Sequence, residues 1–148
     1  MHIALYQPDI PQNLGSILRL CACMDVACHI IEPCGFVLDD KRLKRVAMDY
    51  ADHVSLHKHA SWERFTEYAH SLPARVILLT TKGATNLYDF TFRSTDILLL
   101  GRESAGVPDE VTALADAKLR IPLAPHARSL NVAVTAGMAL GEALRQTR

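Results

Sequence analysis

Three stretches hold the residues best able to do chemistry: Thr80-Thr81-Lys82-Gly83, Gly101-Arg102-Glu103-Ser104-Ala105-Gly106 and Arg128-Ser129-Leu130-Asn131. They supply hydroxyl, carboxylate, amide and cationic groups, and glycines that let a ligand approach the backbone closely. The third stretch is oddly placed. It stands directly before VAVTAGMALGEAL, a run of mostly small apolar residues. A surface helix normally keeps one face for water. A helix this apolar has neighbours on several sides, and its polar first turn faces something that hydrogen-bonds.

Several familiar chemistries do not fit these residues. Gly101 and Gly106 are spaced G-x4-G, not G-x-G-x-x-G, and no Lys-Ser/Thr pair follows. Neither a dinucleotide fingerprint nor a P-loop is present, and alone the pair reads as a structural turn. His126 lies near Ser129, but no G-x-S-x-G elbow surrounds that serine, which argues against a hydrolase triad. The cysteines Cys21, Cys23, Cys28 and Cys34 do not form the matched C-x2-C pairs that zinc prefers. They read as buried free thiols, with no metal. The seven histidines look scattered along the chain.

The elements that must position these loops follow from apolar periodicity. HIALYQ, 2 to 7, is a short strand ended by Pro8. Residues 11 to 24 carry Leu14, Ile17, Leu18 and Cys21 at helical spacing, with Pro11 suited to a first turn. CHIIE, 28 to 32, is a strand, and Asp39 and Asp40 can cap a short basic helix to about Met48. VSLHK, 54 to 58, is a weak strand. Ser61 caps an amphipathic helix that Pro73 ends. RVILLT, 75 to 80, and DILLL, 96 to 100, are apolar throughout, as strands covered on both faces are. A helix opens at Pro108-Asp109, KLRIP is the last strand, and the final helix starts near Ser129, which suits an N-cap. Strands alternating with helices predict an α/β domain with a mostly parallel sheet. In such a sheet ligands bind where strand C-termini open into loops, so the three stretches can meet around one ligand.

With 148 residues, 49% of them hydrophobic, the chain suits one domain spanning 1–148 with a sizeable core. No window approaches the ~18 apolar residues of a membrane span, and MHIALYQPDI lacks the pattern of a secretory signal. A cytoplasmic protein is expected. Sixteen basic residues balance sixteen acidic ones. That argues against a bulk nucleic-acid coat but does not exclude an RNA enzyme with local basic patches. DDKRLKR, 39 to 45, is such a patch.

Taken together, three motifs resemble those of the SPOUT RNA ribose 2′-O-methyltransferases. They are N-x-G-x-I-x-R from Asn13 to Arg19, L-G-x-E-x-x-G-V-P from Leu100 to Pro108, and I-P-L…S-L-N from Ile121 to Asn131. IEPCGFVLDDKRLKR and LTTKG bring the chain nearer to the short tRNA (cytidine/uridine-34) 2′-O-methyltransferase family. The resemblance covers essentially the whole chain. It implies a deep C-terminal trefoil knot, roughly 75–145, S-adenosylmethionine as cofactor, tRNA as partner, a homodimer and no metal. It further implies a catalytic set of Arg19, Asn13, Glu103 and Asn131. The implied cofactor residues are Leu79, Thr80, Gly101, Ile121, Leu123, Ser129 and Leu130. Lys41, Arg42, Lys44, Arg45 and Arg128 would hold RNA phosphates.

Each residue also has a plainer reading. Leu79 and Ile121 suit an ordinary core, Arg19 a surface ion pair, and the basic segment a solvated helix face. Members of the family often carry Gly-Pro-Glu where this chain has Gly101-Arg102-Glu103, and an aromatic residue near Gly141. Methylation at another tRNA position or in rRNA, and a non-catalytic knotted RNA-binding module, stand as alternatives.

Overall fold

The computed structural model describes residues 1–39, 45, 50 and 53–148. Seven strands form one sheet: β1 His2–Tyr6, β2 Ala27–Ile31, β3 Leu56–His59, β4 Val76–Leu79, β5 Thr85–Asn86, β6 Ile97–Leu100 and β7 Ala117–Arg120. Their order is β3-β2-β1-β6-β4-β7-β5, and every pairing is parallel. Among the described residues four helices lie along it: α1 Pro11–Met24, α2 Trp62–His70, α3 Asp109–Leu114 and α4 Val132–Thr147. The expected α/β architecture and parallel sheet are therefore present. The basic helix expected from Asp40 to Met48 falls almost wholly outside the described residues. Thr85–Asn86 and a 3-10 turn at Leu87–Asp89 are additions that local patterning did not reveal.

Strand alternation divides the core between two faces. Ile3, Leu5, Ile77, Leu79, Leu98 and Leu100 pack with Leu14, Ile17 and Leu18 of α1 and with Ala136, Ala139 and Leu140 of α4. Ala4, Tyr6, Val76, Leu78, Ile97 and Leu99 pack with Trp62 and Phe65 of α2 and Val111 of α3. This two-sided cover explains why β4 and β6 read as unbroken apolar runs. Ser61 caps α2 by accepting from the Arg64 amide, as its position predicted. Asp96, fully buried before β6, is met by both Nε and Nη2 of Arg75 at 2.9 and 2.7 Å. That pairing ties the starts of β4 and β6 together.

Two expectations need correction here. Cys21 and Cys28 are buried, but Cys34 is only half-buried and Cys23 is exposed. Cys23 stands two residues from Cys21 on α1, so the helix turns it away from the sheet. The histidines are also not all scattered. His2, His29, His57 and His59 come from three adjacent strands and gather on the α2 face. His2 Nδ1 lies 2.8 Å from His29 Nε2, and His29 Nδ1 lies 3.0 Å from His59 Nε2. Among the described residues no group of three or more histidine, cysteine or acidic side chains is arranged to hold a metal.

Burial first, and then the neighbouring imidazoles, push the His29 pKa down to about 3; His59 is lowered for the same reasons, and His2 by burial, then the N-terminal ammonium, then His57. An unfolded histidine titrates near 6.5, so below that pH the unfolded chain takes up protons that the fold refuses. Stability is therefore expected to be whole above about pH 6.5 and to fall on acidification. His29 alone would contribute a loss of about 2 kcal/mol by pH 5. Melting curves between pH 7 and 5 test this, and a flat melting temperature across that window would count against a neutral buried cluster.

Candidate functional site

β4 lies between β6 and β7, with Leu79 paired to both Leu100 and Leu119. The three polar loops thus leave the sheet side by side at its C-terminal edge, as the sequence predicted. Thr80 donates its amide to Leu119 O at 2.9 Å, and Gly83 donates to Thr80 O at 3.1 Å. A Cβ at Gly83 would lie 2.5 Å from the Leu119 carbonyl carbon, so only glycine lets this loop rest on β7. Arg120 Nη1 holds Gly83 O at 3.3 Å.

The loop after β6 is closed on itself. Arg102 and Gly106 exchange both backbone hydrogen bonds, at 3.0 and 2.8 Å. A Cβ at Gly101 would lie 2.6 Å from the Gly106 carbonyl carbon, and Gly106 has φ +66°. The G-x4-G spacing is thereby explained: one glycine permits the close approach and the other the left-handed turn.

This closed loop presents Glu103 to two other segments. Its Oε1 accepts from Asn13 Nδ2 at 2.9 Å, and its Oε2 accepts from the Asp9 amide at 3.1 Å. Asn13, buried near the start of α1, uses its own Oδ1 to accept from Asn131 Nδ2 at 2.9 Å. Asn131 Oδ1 in turn accepts from the amides of Ala133 and Val134 at 2.8 and 3.3 Å. Asn131 is therefore the cap of α4, and the expectation that Ser129 caps this helix is corrected. The short side chain of Asn131 reaches the free first-turn amides and still has its NH2 to spare for Asn13. Three motifs far apart in the chain are joined by two consecutive side-chain hydrogen bonds.

The electrostatics suit a fixed carboxylate pair. Burial, and then contact with Asp9, raise the Glu103 pKa. Hydrogen bonding with Glu103, and then with Ser104, draws the Asp9 pKa down to about 2. Asp9 was missed in the sequence, where it reads only as a loop residue between Pro8 and Pro11. The available signal was an acidic side chain directly after the first strand, at the edge where ligands bind.

The other expected residues divide into groups. Leu79 is buried at the end of β4, while Thr80, Gly101, Ile121 and Leu123 are half-buried around the same edge. Ser129 and Leu130 are exposed on the segment leading to Asn131, as is Arg128. Arg19 stands apart. It is exposed on α1, with its guanidinium 4.8 Å from the Tyr50 ring centre and Nη2 3.4 Å from the Tyr50 hydroxyl. Six residues after Asn13, it faces a different side of the helix. Arg45 is exposed, whereas Lys41, Arg42 and Lys44 lie outside the described residues.

Comparison with known proteins adds an independent line. The model of the SpoU rRNA methylase family matches residues 1–141. A tRNA (cytidine(34)-2'-O)-methyltransferase of Beijerinckia indica is 57% identical over 144 residues, spanning 97% of this chain and 90% of that protein. The protein of the same name in Escherichia coli K12 is 40% identical, over 99% of this chain and 93% of its own. A solved structure bearing on the "2-OH methylation of C/U34 on tRNA" superimposes with TM-score 0.91 at 44% identity, covering 98% and 94% of the two chains. The SpoU methyltransferase AviRb of Streptomyces viridochromogenes, solved in complex with AdoMet, gives TM-score 0.88 at 26% identity, covering 99% of this chain and 60% of its own.

Proposed function

The chain belongs to the SpoU rRNA methylase family, and on that premise we propose that it methylates the ribose 2′-hydroxyl of tRNA nucleotide 34, a cytidine or modified uridine, using S-adenosylmethionine. The observation that carries the assignment is the joining of Asn13, Glu103 and Asn131 where β4, β6 and β7 end. It occurs in a chain 57% and 40% identical to proteins with that name.

The residues present suit the cofactor. Ile121, Leu123 and Leu130 offer apolar edges that are not fully buried, and Gly101 is half-buried at the same sheet edge. Leu79, Thr80, Gly101 and Ile121 would border the adenosine, with Leu123, Leu130 and the Ser129 hydroxyl completing the site. When bound, S-adenosylmethionine supplies an electrophilic methyl group. The chain must then bring the ribose hydroxyl in line with it. Asn13, Glu103 and Asn131 form a rigid frame for this, because each polar group is held by the next. Arg19 grips an RNA phosphate and orients the hydroxyl; its guanidinium stays protonated and is no general base. Alignment of this kind can supply about 7–11 kcal/mol of a barrier. Arg128, Arg45 and the neighbouring basic residues Lys41, Arg42 and Lys44 would hold the tRNA backbone.

The same reading includes a homodimer. Ile10, Leu130, Val134 and Met138 remain 36–49% exposed, and three of them flank or lie on α4. An apolar group beside the site is well suited to cover by a second copy. That arrangement also reconciles Arg19 with its role: facing away from its own Asn13, it would serve the site of the partner. Sedimentation at micromolar concentration is expected to give a dimer, and a stable, fully active monomer would exclude the arrangement. Residues from roughly 75 to 145 would be threaded as a trefoil knot, a reading supported by β4 lying between two later strands. No helix among the described residues is long and apolar enough to cross a membrane. The same reading includes a cytoplasmic enzyme, where a tRNA substrate would be met.

The test is methylation of undermodified total RNA with labelled S-adenosylmethionine, followed by nucleoside mapping. Label at position 34 of tRNA is expected. Label confined to rRNA or to another tRNA position overturns the target, and absence of both transfer and calorimetric cofactor binding overturns the enzyme.

A further inference from the structure

We propose that Asp9 is a positioning residue of the methyl-transfer site, acting through Glu103. The inference rests on the role given to Glu103 above and extends it to a residue outside the three motifs. Asp9 lies in the connection from β1 to α1, and Glu103 in the loop after β6. The two segments clasp each other. Asp9 Oδ1 accepts from the Glu103 amide at 3.1 Å. Its Oδ2 accepts from the Ser104 amide at 3.3 Å and from the Ser104 hydroxyl. In return, the Asp9 amide donates to Glu103 Oε2 at 3.1 Å.

This clasp decides where Glu103 points. With Oε2 held by Asp9, Oε1 is directed to Asn13 Nδ2, and Asn13 passes the constraint to Asn131. The Asp9 carboxylate is suited to the task because both oxygens are acceptors, and the Glu103 amide, the Ser104 amide and the Ser104 hydroxyl all donate to it. An asparagine there has one acceptor oxygen, and its NH2 would meet an N–H or O–H donor head on. A third segment holds Asp9 from behind. Gly35 donates to Pro8 O at 3.0 Å, and a Cβ at Gly35 would lie 2.6 Å from Asp9 Cβ. Only the absence of a side chain at Gly35 lets the clasp close.

The test compares Asp9→Asn, Glu103→Gln and the double variant in the full-length protein. Single-turnover methyl transfer to tRNA is measured beside cofactor affinity and melting temperature. Asp9→Asn is expected to slow transfer roughly 10- to 100-fold, the size of one or two lost hydrogen bonds to a charged group. Cofactor affinity should stay within about threefold. Because Asp9 acts through Glu103, the double variant should be no slower than Glu103→Gln alone. Multiplying losses in the double variant would overturn the proposal, since Asp9 would then work by another route. Full activity of Asp9→Asn beside a crippled Glu103→Gln overturns it too, while leaving the role of Glu103 intact. Full activity of Glu103→Gln instead removes the role of Glu103 and, with it, this use of Asp9. Should Asp9→Asn not fold, Ser104→Ala decides. It deletes one exposed donor and is expected to slow transfer about threefold to tenfold, a loss that must vanish in the Glu103→Gln background.

Discussion

Replacing Arg19 with alanine is expected to slow methyl transfer to tRNA about a thousandfold, equivalent to ~4 kcal/mol in the transition state. Its affinity for S-adenosylmethionine should barely change, because Arg19 lies on the outward side of α1, against Tyr50, and not at the strand ends. Ser129→Ala should do the reverse, weakening cofactor binding by ~1 kcal/mol, the size of a single hydrogen bond. Arg19→Lys separates charge from shape, since lysine lacks the planar fork that grips phosphate in two places. Full transfer by Arg19→Lys would mean that charge suffices. Full transfer by Arg19→Ala would leave the arginine of the first motif as a surface residue. Mixing tests whether the site is shared. If Arg19 serves the partner's site, randomly mixed Arg19→Ala and Asn13→Asp chains should recover about a quarter of wild-type activity, because half the dimers regain one of two sites. No recovery would mean that Arg19 serves the site that holds the Asn13 of its own chain.

Asn13→Asp is expected to cost about a hundredfold in transfer, because it breaks the frame at its centre. Asn13 donates to Glu103 at 2.9 Å and accepts from Asn131 at 2.9 Å. The introduced carboxylate would face that of Glu103, whose pKa burial has already raised. Two carboxylates so close cannot both ionise cheaply, so one of the pair binds its proton more tightly in the fold than in the unfolded chain. A group with a raised folded pKa stabilises the fold below its unfolded pKa and loses that contribution as pH rises. The variant should therefore be less stable than wild type by about 2 kcal/mol at pH 7 and recover toward pH 5, where a shared proton restores a donor between the two residues. Chemical denaturation at both pH values measures this. A variant equally stable at both, with undiminished transfer, would show that Asn13 and Glu103 are neighbours without consequence.

Local elements were legible because their causes are local. The helix from Pro11 to Met24 matched its predicted bounds, since Leu14, Ile17, Leu18 and Cys21 mark one face at helical spacing and Pro11 suits a first turn. The apolar runs of β4 and β6 announced strands covered on both sides. The residues of the three motifs were legible as types, and the polar turn before the apolar last helix correctly pointed to a hydrogen-bonding neighbour.

What tertiary structure alone decided is which of those residues meet. Glu103 and Asp9 are 94 positions apart, and Asn131 and Asn13 are 118 apart. Their contacts depend on β4 lying between β6 and β7 and on β1 lying beside β6. Strand order is a long-range property, whereas residue preferences and periodicity report only on near neighbours along the chain. The same reason hid the gathering of His2, His29, His57 and His59 and the choice of Asn131 over Ser129 as the cap of α4. By itself the sequence determined the chemistry on hand and the elements that carry it. The packing of those elements determined that Asn13, Glu103 and Asn131 meet, because hydrogen bonds form between groups adjacent in space, whatever their separation along the chain.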